Sequence, residues 1–504
     1  MLMMDEDKAS GNNINGSYNR TFKYLGIFGG AQGVSMFLNL IRNKAASLML
    51  GAIGLGLITL YNRTIQMFSE CTNLSLSFSA VRRLSYAFEN EEKESIVHCV
   101  KIIRSIAFLT GVVGMLLFLA CSPLIAKWIF GSYTYYLSRF VTLSPVILFM
   151  AVTGGEVAVL RGVRQLNSLA LYSLYTSFAA VVFAVPLYYL RGLGGIFPAI
   201  FLISLAQMVF VLRYSLKLYG YRIAPFSISL IYEGLDMVKM GAGYIYASIL
   251  TSCSVWLICK ALSEIGNGTV TGLFSAGFVL VTMMPSILFA ALDSDYYPRL
   301  SGIFRKPKER NAMVNEQIEI HVLVQAPLIL GVIVIMPYLL PMLYSAEFMP
   351  AVKMTQMAMF GLLLHTLTYP ISFMPLSKGD SFTFLVQESI YNVSLVVLVV
   401  IGYSHYGLRG VGVAMFLARV VDFAVVYAIA HRKYSFRLSW RVTKYFIINV
   451  LLYAIVLFAI VEMSGAKAWV IAFGCVGCSG LVSLYMLAKH EVFLYKVYKR
   501  LFGK

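Results

Sequence analysis

The chain has 504 residues, of which 59% are hydrophobic and only 13% charged, with a formal net charge of +18 and a mean hydropathy of +0.77. A soluble protein would carry nearer one-quarter charged residues, so the composition excludes a water-soluble enzyme and defines a polytopic membrane protein. The positive balance, which would suggest nucleic acid in a soluble chain, has a simpler source here in the tendency of cytoplasmic loops to collect Lys and Arg.

The first twenty or so residues are polar and partly acidic. They lack the basic start and small-residue cleavage site of a signal peptide, so the first apolar segment is expected to be retained. Cutting the chain at charge clusters then predicts fourteen spans: 22–46, 54–80, 102–121, 140–160, 167–190, 194–213, 238–260, 270–292, 319–343, 353–377, 381–403, 409–431, 444–462 and 467–488.

The first two spans carry polar stripes. Gln32, Ser35, Asn39 and Arg42 follow one another at steps of three or four residues, as do Arg63, Gln66, Glu70, Asn73 and Ser77. At ~100° per residue each set shares one narrow face. Such a face turns from lipid, because a charge at mid-bilayer costs at least ~2.5–3.5 kcal/mol. Two readings stand. Arg42 or Arg63 pairs with Glu70 and glues helices together, or the stripes line a hydrated path that receives an anion. The second is favoured because Arg42, Lys44 and Arg63 outnumber Glu70.

Further along, Glu156 follows two glycines in a span with no base nearby in sequence, which makes it a second candidate, with Glu70, for coupling transport to an ion. The seventh span is rich in Tyr and Ser (Tyr244, Tyr246, Ser248, Ser252, Ser254) and has no acid. His365 reads as a packing residue, Glu388 as a buried acid, and Asp422 as the partner of Arg419 three residues earlier. Cys475 and Cys478 form a C-x-x-C inside an apolar run, without a second pair or nearby His, and are read as packing.

With the N-terminus in the cytoplasm, seven basic residues fall outside: Lys127, Arg139, Arg191, Lys260, Lys353, Arg409 and Lys467. Four lie within spans (Arg42, Lys44, Arg63, Arg419), and the remaining thirty of 41 fall inside. Both termini are therefore expected in the cytoplasm. The loops "RRLSYAFENEEKES" and "RKPKERNAMVNE" read as solvated connections.

The chain also repeats. "RRLSYAF" from Arg82 matches "PRLSGIF" from Pro298, "SPLIAKWIFG" from Ser122 matches "MPYLLPMLYS" from Met336, and "GLGGIFPAIFL" from Gly192 matches "GLRGVGVAMFL" from Gly407. All three offsets fall within a residue of 215. Six spans per repeat give two lobes of the same orientation, expected to enclose a substrate cavity. The expected organisation is a first lobe over 1–217, a second over 218–435, and two added helices with a basic tail over 436–504. The fold class is all-α: about fourteen transmembrane helices in two pseudo-symmetric six-helix lobes plus two C-terminal helices. No nucleotide-binding loop, zinc-protease motif or nucleophile elbow occurs, so no enzyme, cofactor or metal is expected.

"LIRNKAASLMLGAIGLGLITLYNRT" resembles the start of the Wzx-type polysaccharide exporters, the O-antigen and lipid-linked oligosaccharide flippases. There a basic residue and an alanine are followed by L-G-x-x-G-x-G, matched here by Lys44, Ala45, Leu50, Gly51, Gly54 and Gly56. "LRGVRQLNSLAL" from Leu160 and "PLSKGDSFTFL" from Pro375 are similar to the family's short cytoplasmic turns. The resemblance implies a V-shaped fold, related to multidrug exporters and peptidoglycan-precursor flippases, and alternating access in a bacterial cytoplasmic membrane. It implies an undecaprenyl-pyrophosphate-linked glycan as cargo, Na⁺ or H⁺ as candidate coupling ion, and other glycan-assembly membrane proteins as candidate partners. Arg42, Lys44, Arg63, Asn39, Gln66 and Asn73 are then the candidate cargo-binding residues, since forked Arg contacts suit phosphate oxygens. A cation-coupled multidrug exporter fits less well, because neither the first nor the seventh span supplies an acid for a cationic drug; a peptidoglycan-precursor flippase shares the pyrophosphate.

Overall fold

The computed structural model describes residues 3–73, 76–89, 93–130, 133–220, 230, 232–233, 242–462 and 466–489. They form thirteen α-helices: α1 (Met3–Asn73), α2 (Leu76–Glu89), α3 (Lys93–Phe130), α4 (Tyr133–Gly162), α5 (Leu166–Arg191), α6 (Ile196–Leu218), α7 (Ala242–Ile265), α8 (Gly268–Ile303), α9 (Pro307–Leu343), α10 (Ala351–Lys378), α11 (Ser381–Tyr434), α12 (Trp440–Glu462) and α13 (Ala466–Lys489). No strand occurs among the described residues.

Ten helical stretches are long and apolar enough to cross a membrane. Three of them, of 40, 52 and 54 residues, are broken near the middle and so supply two crossings each. The breaks fall at Gly51 (φ 65°, ψ −171°), at Gly192 (φ 55°, ψ −133°) with the 3₁₀ turn that follows it, and at Gly407 (φ 59°, ψ −147°). Positive φ at these corners suits glycine, which has no Cβ to clash. With the shorter apolar stretch Gly268–Met283, the described helices provide the fourteen crossings expected. The membrane is the reason for a purely helical solution, because helices satisfy their own backbone hydrogen bonds without water.

Two compact units divide the chain. The first holds Met1–Gly54 and Leu60–Ser252, the second Leu55–Thr59 and Cys253–Lys504. The five residues Leu55–Thr59 belong to the second unit because Gly56 lies against the start of α8, where a Cβ would collide with the Gly268 carbonyl.

Each unit builds a core from positions that correspond at the 215-residue offset. In the first, Leu84, Cys99, Ile103, Ala107 and Val159 are buried together. In the second, Leu300, Val314, Ile318, Val322 and Met374 are. Backbone corners correspond as well: Arg164 (φ 55°) with Gly379 (φ 78°), and Gly192 with Gly407. The expected solvated loop "RRLSYAFENEEKES" is instead largely helical. Its first part closes α2, whose Ala80, Leu84 and Ala87 pack on α3 and α4, and its last residues open α3. Their spacing of four and three residues puts them on one face.

In the second unit, α12 and α13 dock on α9. Tyr453 Oη donates to the Ala326 carbonyl at 2.9 Å, Ser479 Oγ donates to Asn449 Oδ1 at 2.7 Å, and Arg441 pairs with Glu319 at 2.9 Å.

Candidate functional site

The stripes predicted on the first two spans lie on the two arms of α1. On the first arm Ser35 is buried, and its hydroxyl meets Ser173 Oγ of α5 at 2.9 Å. Asn39 Nδ2 donates to the Ser35 carbonyl at 3.0 Å, and Arg42 Nη2 donates to Asn43 Oδ1 at 3.2 Å. Asn39, Arg42 and Lys44 are half-buried. On the second arm Arg63 Nη1 donates to Gln66 Oε1 at 3.1 Å. Glu70 accepts a 2.6 Å hydrogen bond from Ser248 Oγ of α7. The side chains of Gln32, Asn73 and Ser77 lie outside the described residues.

The spacing of three between Arg63 and Gln66 is what lets one helix face hold both ends of that bond. Glu70 reaches across to another helix, so the Ser-rich character of the seventh span has a structural counterpart: a hydroxyl donor to an intramembrane carboxylate.

The expectation that Glu156 has no base nearby does not hold in three dimensions. Arg104 of α3 donates from Nε to Glu156 Oε1 at 2.7 Å and from Nη2 to Oε2 at 3.1 Å. Both side chains are only 2% exposed. The same guanidinium reaches Ser215 Oγ at 3.0 Å and the carbonyls of Tyr219 and Gly220 at 3.2 and 2.7 Å. It thus caps the C-terminal end of α6, where unsatisfied carbonyls favour a cation. The charge count missed this because Arg104 lies at the edge of a charge cluster and reads as part of a cytoplasmic loop. Its signal was a position two residues inside the third predicted span.

Nearby, Glu233 receives Arg83 of α2 at 3.4 Å and His98 of α3 at 3.0 Å, both half exposed. This ties the segment before α7 to the same end of the unit.

The second unit has its own polar cluster. Arg419 Nη1 donates to Asp422 Oδ2 at 3.2 Å and to His365 Nδ1 at 3.1 Å, and its guanidinium lies 4.2 Å from the centroid of the Tyr391 ring. Glu388 lies within electrostatic reach of Arg419 and Asp422. At the α10–α11 turn, Asp380 caps α11 by accepting from Thr383 N at 3.2 Å. It also receives Lys433 at 2.5 Å, Tyr434 Oη at 2.9 Å and Thr383 Oγ1 at 2.9 Å. Burial by itself would raise this carboxyl's pKa, but the hydrogen bonds from Lys433, Tyr434 and Thr383 outweigh it and hold the group well below the usual carboxylate range.

Membrane-spanning helices in two compact units, polar stripes on α1 and buried ion pairs define a multi-pass membrane protein with a transporter-type fold. Residues 89–353 match the family described as polysaccharide biosynthesis protein, more than half of the chain, and the chain belongs to that family. No curated protein matches it. Among solved structures it is similar to a multidrug resistance MATE family transporter of the MOP superfamily in an inward-facing conformation (15% identity, 81% of this chain and 96% of that one, TM-score 0.67). It is also similar to the lipid II flippase MurJ in an inward closed conformation (15% identity, 92% and 99%, TM-score 0.65). A third is a MOP superfamily transporter from Pyrococcus furiosus, whose binding pocket is described as having reverse polarity (13% identity, 82% and 96%, TM-score 0.59). The fold is therefore MATE-like.

Proposed function

We propose that the protein is a flippase that moves an undecaprenyl-pyrophosphate-linked oligosaccharide from the inner to the outer face of a bacterial cytoplasmic membrane, by alternating access and with both termini in the cytoplasm. The observation that carries this is the basic character of α1: Arg42 and Arg63 lie on its two polar stripes at membrane depth, Lys44 lies two residues beyond Arg42, and the stripes hold one carboxylate, Glu70. A pyrophosphate entering low-dielectric surroundings needs cations, and planar guanidinium groups meet its oxygens two at a time. Asn39, Gln66 and Asn73 would complete the polar face. The family's biosynthetic theme supports a glycan cargo, and the reverse polarity described for the binding pocket of the Pyrococcus furiosus protein is a precedent for pocket polarity varying on this fold.

The coupling ion would be Na⁺ or H⁺, with Glu70 and Glu156 as candidate carboxylates. Glu70, which accepts from the Ser248 hydroxyl, can release that neutral partner at lower cost than Glu156, which is locked to the Arg104 guanidinium. Glu70→Gln should abolish dependence on an ion gradient while leaving the protein inserted.

The deciding experiment reconstitutes the protein in liposomes and follows a labelled polyprenyl-pyrophosphate glycan against a cationic dye. Glycan should move and the dye should not. Arg42→Lys and Arg63→Lys should impair export in part, because charge is kept and the fork lost. The Ala variants should abolish it, losing about 1.5–3 kcal/mol of binding per charge-assisted bond. The Glu variants should be worst. Wild-type rates for both Ala variants would refute the anion-binding role.

A further inference from the structure

The tip of the hairpin formed by the two arms of α11 carries a cavity unrelated to the α1 stripes. Gly402 lies near the end of the first arm and Gly410 near the start of the second. Their backbones touch, and a Cβ on either would collide with the carbonyl of the other. Beside this contact the two arms leave a groove of about 420 Å³, within the roughly 300–1,000 Å³ typical of small-ligand pockets. Leu398 and Ile401 wall one side, Val413 and Leu417 the other. Ile401 is 51% exposed and Leu417 42%, so the groove is open along a membrane-spanning stretch. His405 and Arg409 border it at the tip, both exposed. Beside them Tyr406 is 78% exposed, as befits an aromatic ring at headgroup level. No ion pair to Arg409 occurs among the described residues.

The matching corner of the first unit lacks these features. At the same offset Gly402 becomes Leu187, His405 becomes Leu190 and Arg409 becomes Gly194, while Gly195 keeps the close approach that Gly410 makes. The first corner has an exposed base of its own, Arg191, but the touching glycine pair with His405 and Arg409 beside it belongs to the second repeat. Arg409 is also one of the seven basic residues placed on the disfavoured outer side, and nothing in the cargo reading uses it.

We infer that this groove holds one acyl chain of an anionic phospholipid, with the lipid phosphate on Arg409 and His405. Lipid tails are as apolar as the groove walls, so the groove alone selects nothing from the bilayer. Arg409 can meet the phosphate of any phospholipid in a forked contact, but the positive tip favours a headgroup whose phosphate charge is not offset by its own ammonium, and the groove fixes the chain beneath it. The inference is independent of the cargo proposed above.

The test is native mass spectrometry of the full chain, released from detergent after titration with phosphatidylglycerol or with phosphatidylcholine of the same chain length. The wild type should retain one phosphatidylglycerol about tenfold more tightly than phosphatidylcholine. Arg409→Ala should reduce phosphatidylglycerol to the phosphatidylcholine level. Val413→Trp should fill the groove and weaken both by about tenfold, and Leu417→Trp repeats that test from the next turn. Both walls and tip are surface positions, so thermal stability should stay unchanged. Equal retention of the two lipids by the wild type would overturn the inference. So would sensitivity to Arg409→Ala with indifference to both Trp variants, which would mean that only charge is read. Displacement of phosphatidylglycerol by one equivalent of a polyprenyl phosphate would overturn it too, in favour of a site for the cargo's own tail.

Discussion

Arg104 and Glu156 show what a single buried pair is asked to do. The guanidinium makes two bonds to the carboxylate, one to Ser215 and two to carbonyls at the end of α6, so five acceptor contacts meet one cation. Removing one partner of such a pair strands the other, at about 3–5 kcal/mol. Glu156→Ala and Arg104→Ala should each lower the melting temperature in detergent markedly. The double variant should be far less destabilised than the sum, because the residues share one interaction. Additive losses would show that the two act separately. At this scale the sequence was half legible. The intramembrane bases on α1 stand out because apolar residues flank them on both sides. Arg104 does not, because it borders Lys101 and a charged segment, and only packing against α4 and α6 takes it out of water. Glu156 could be recognised as a buried acid, but its partner sits 52 positions away, beyond any spacing rule.

Among elements, the turn between α10 and α11 is the best-defined junction. Asp380 gathers Lys433, Tyr434 and Thr383, while Arg310 of α9 donates to the Tyr434 carbonyl and Asn311 Nδ2 to the Ser435 carbonyl at 3.0 Å. The ends of α9, α10 and α11 are thereby tied together. Because the Asp380 pKa is depressed in the folded protein, its contribution is complete above the unfolded value of about 3.9 and fades as pH falls below it. Asp380→Asn should therefore cost about 1.5–3 kcal/mol near neutral pH. The gap between the two melting curves should close as pH is lowered below about 4, and a gap that stayed constant would rule out ionisation as its source. Helix positions were mostly legible from runs of apolar residues. The breaks at Gly51, Gly192 and Gly407 were less so: the chain stays helical on both sides of each, and a charge-based cut sees a loop where the backbone only turns a corner. The short helix α2 was missed because it straddles the predicted end of the second span at residue 80, where Arg82 and Arg83 read as the start of a loop.

For the whole molecule, the internal repeat was readable from three short matches, and the shared core positions and left-handed corners give it physical content. What the sequence did not show is where the polar positions that differ between the two repeats find their partners. The position of Arg104 is held by Glu319 in the second repeat, and the acid there takes its partner from α12. Topology is the property on which the transport direction rests. A single Cys placed at Lys308, in a cysteine-free background, should resist an impermeant thiol reagent in intact cells and react once the cells are opened. Labelling in intact cells would reverse the orientation drawn from the basic residues.

The reversal at Glu319 also bears on how the chain is made. Glu156 follows Arg104 by 52 residues, so at about 5–20 residues per second the first pair can close within roughly 3–10 s of synthesis. Glu319 is translated about 120 residues before Arg441, its partner at 2.9 Å, and at the same rate waits roughly 6–24 s. During that interval its carboxyl has no guanidinium from α12. The second half of the protein must therefore enter the membrane before the Glu319–Arg441 pair can form, and a ribosome that stops before α12 leaves that acid without its Arg441 contact.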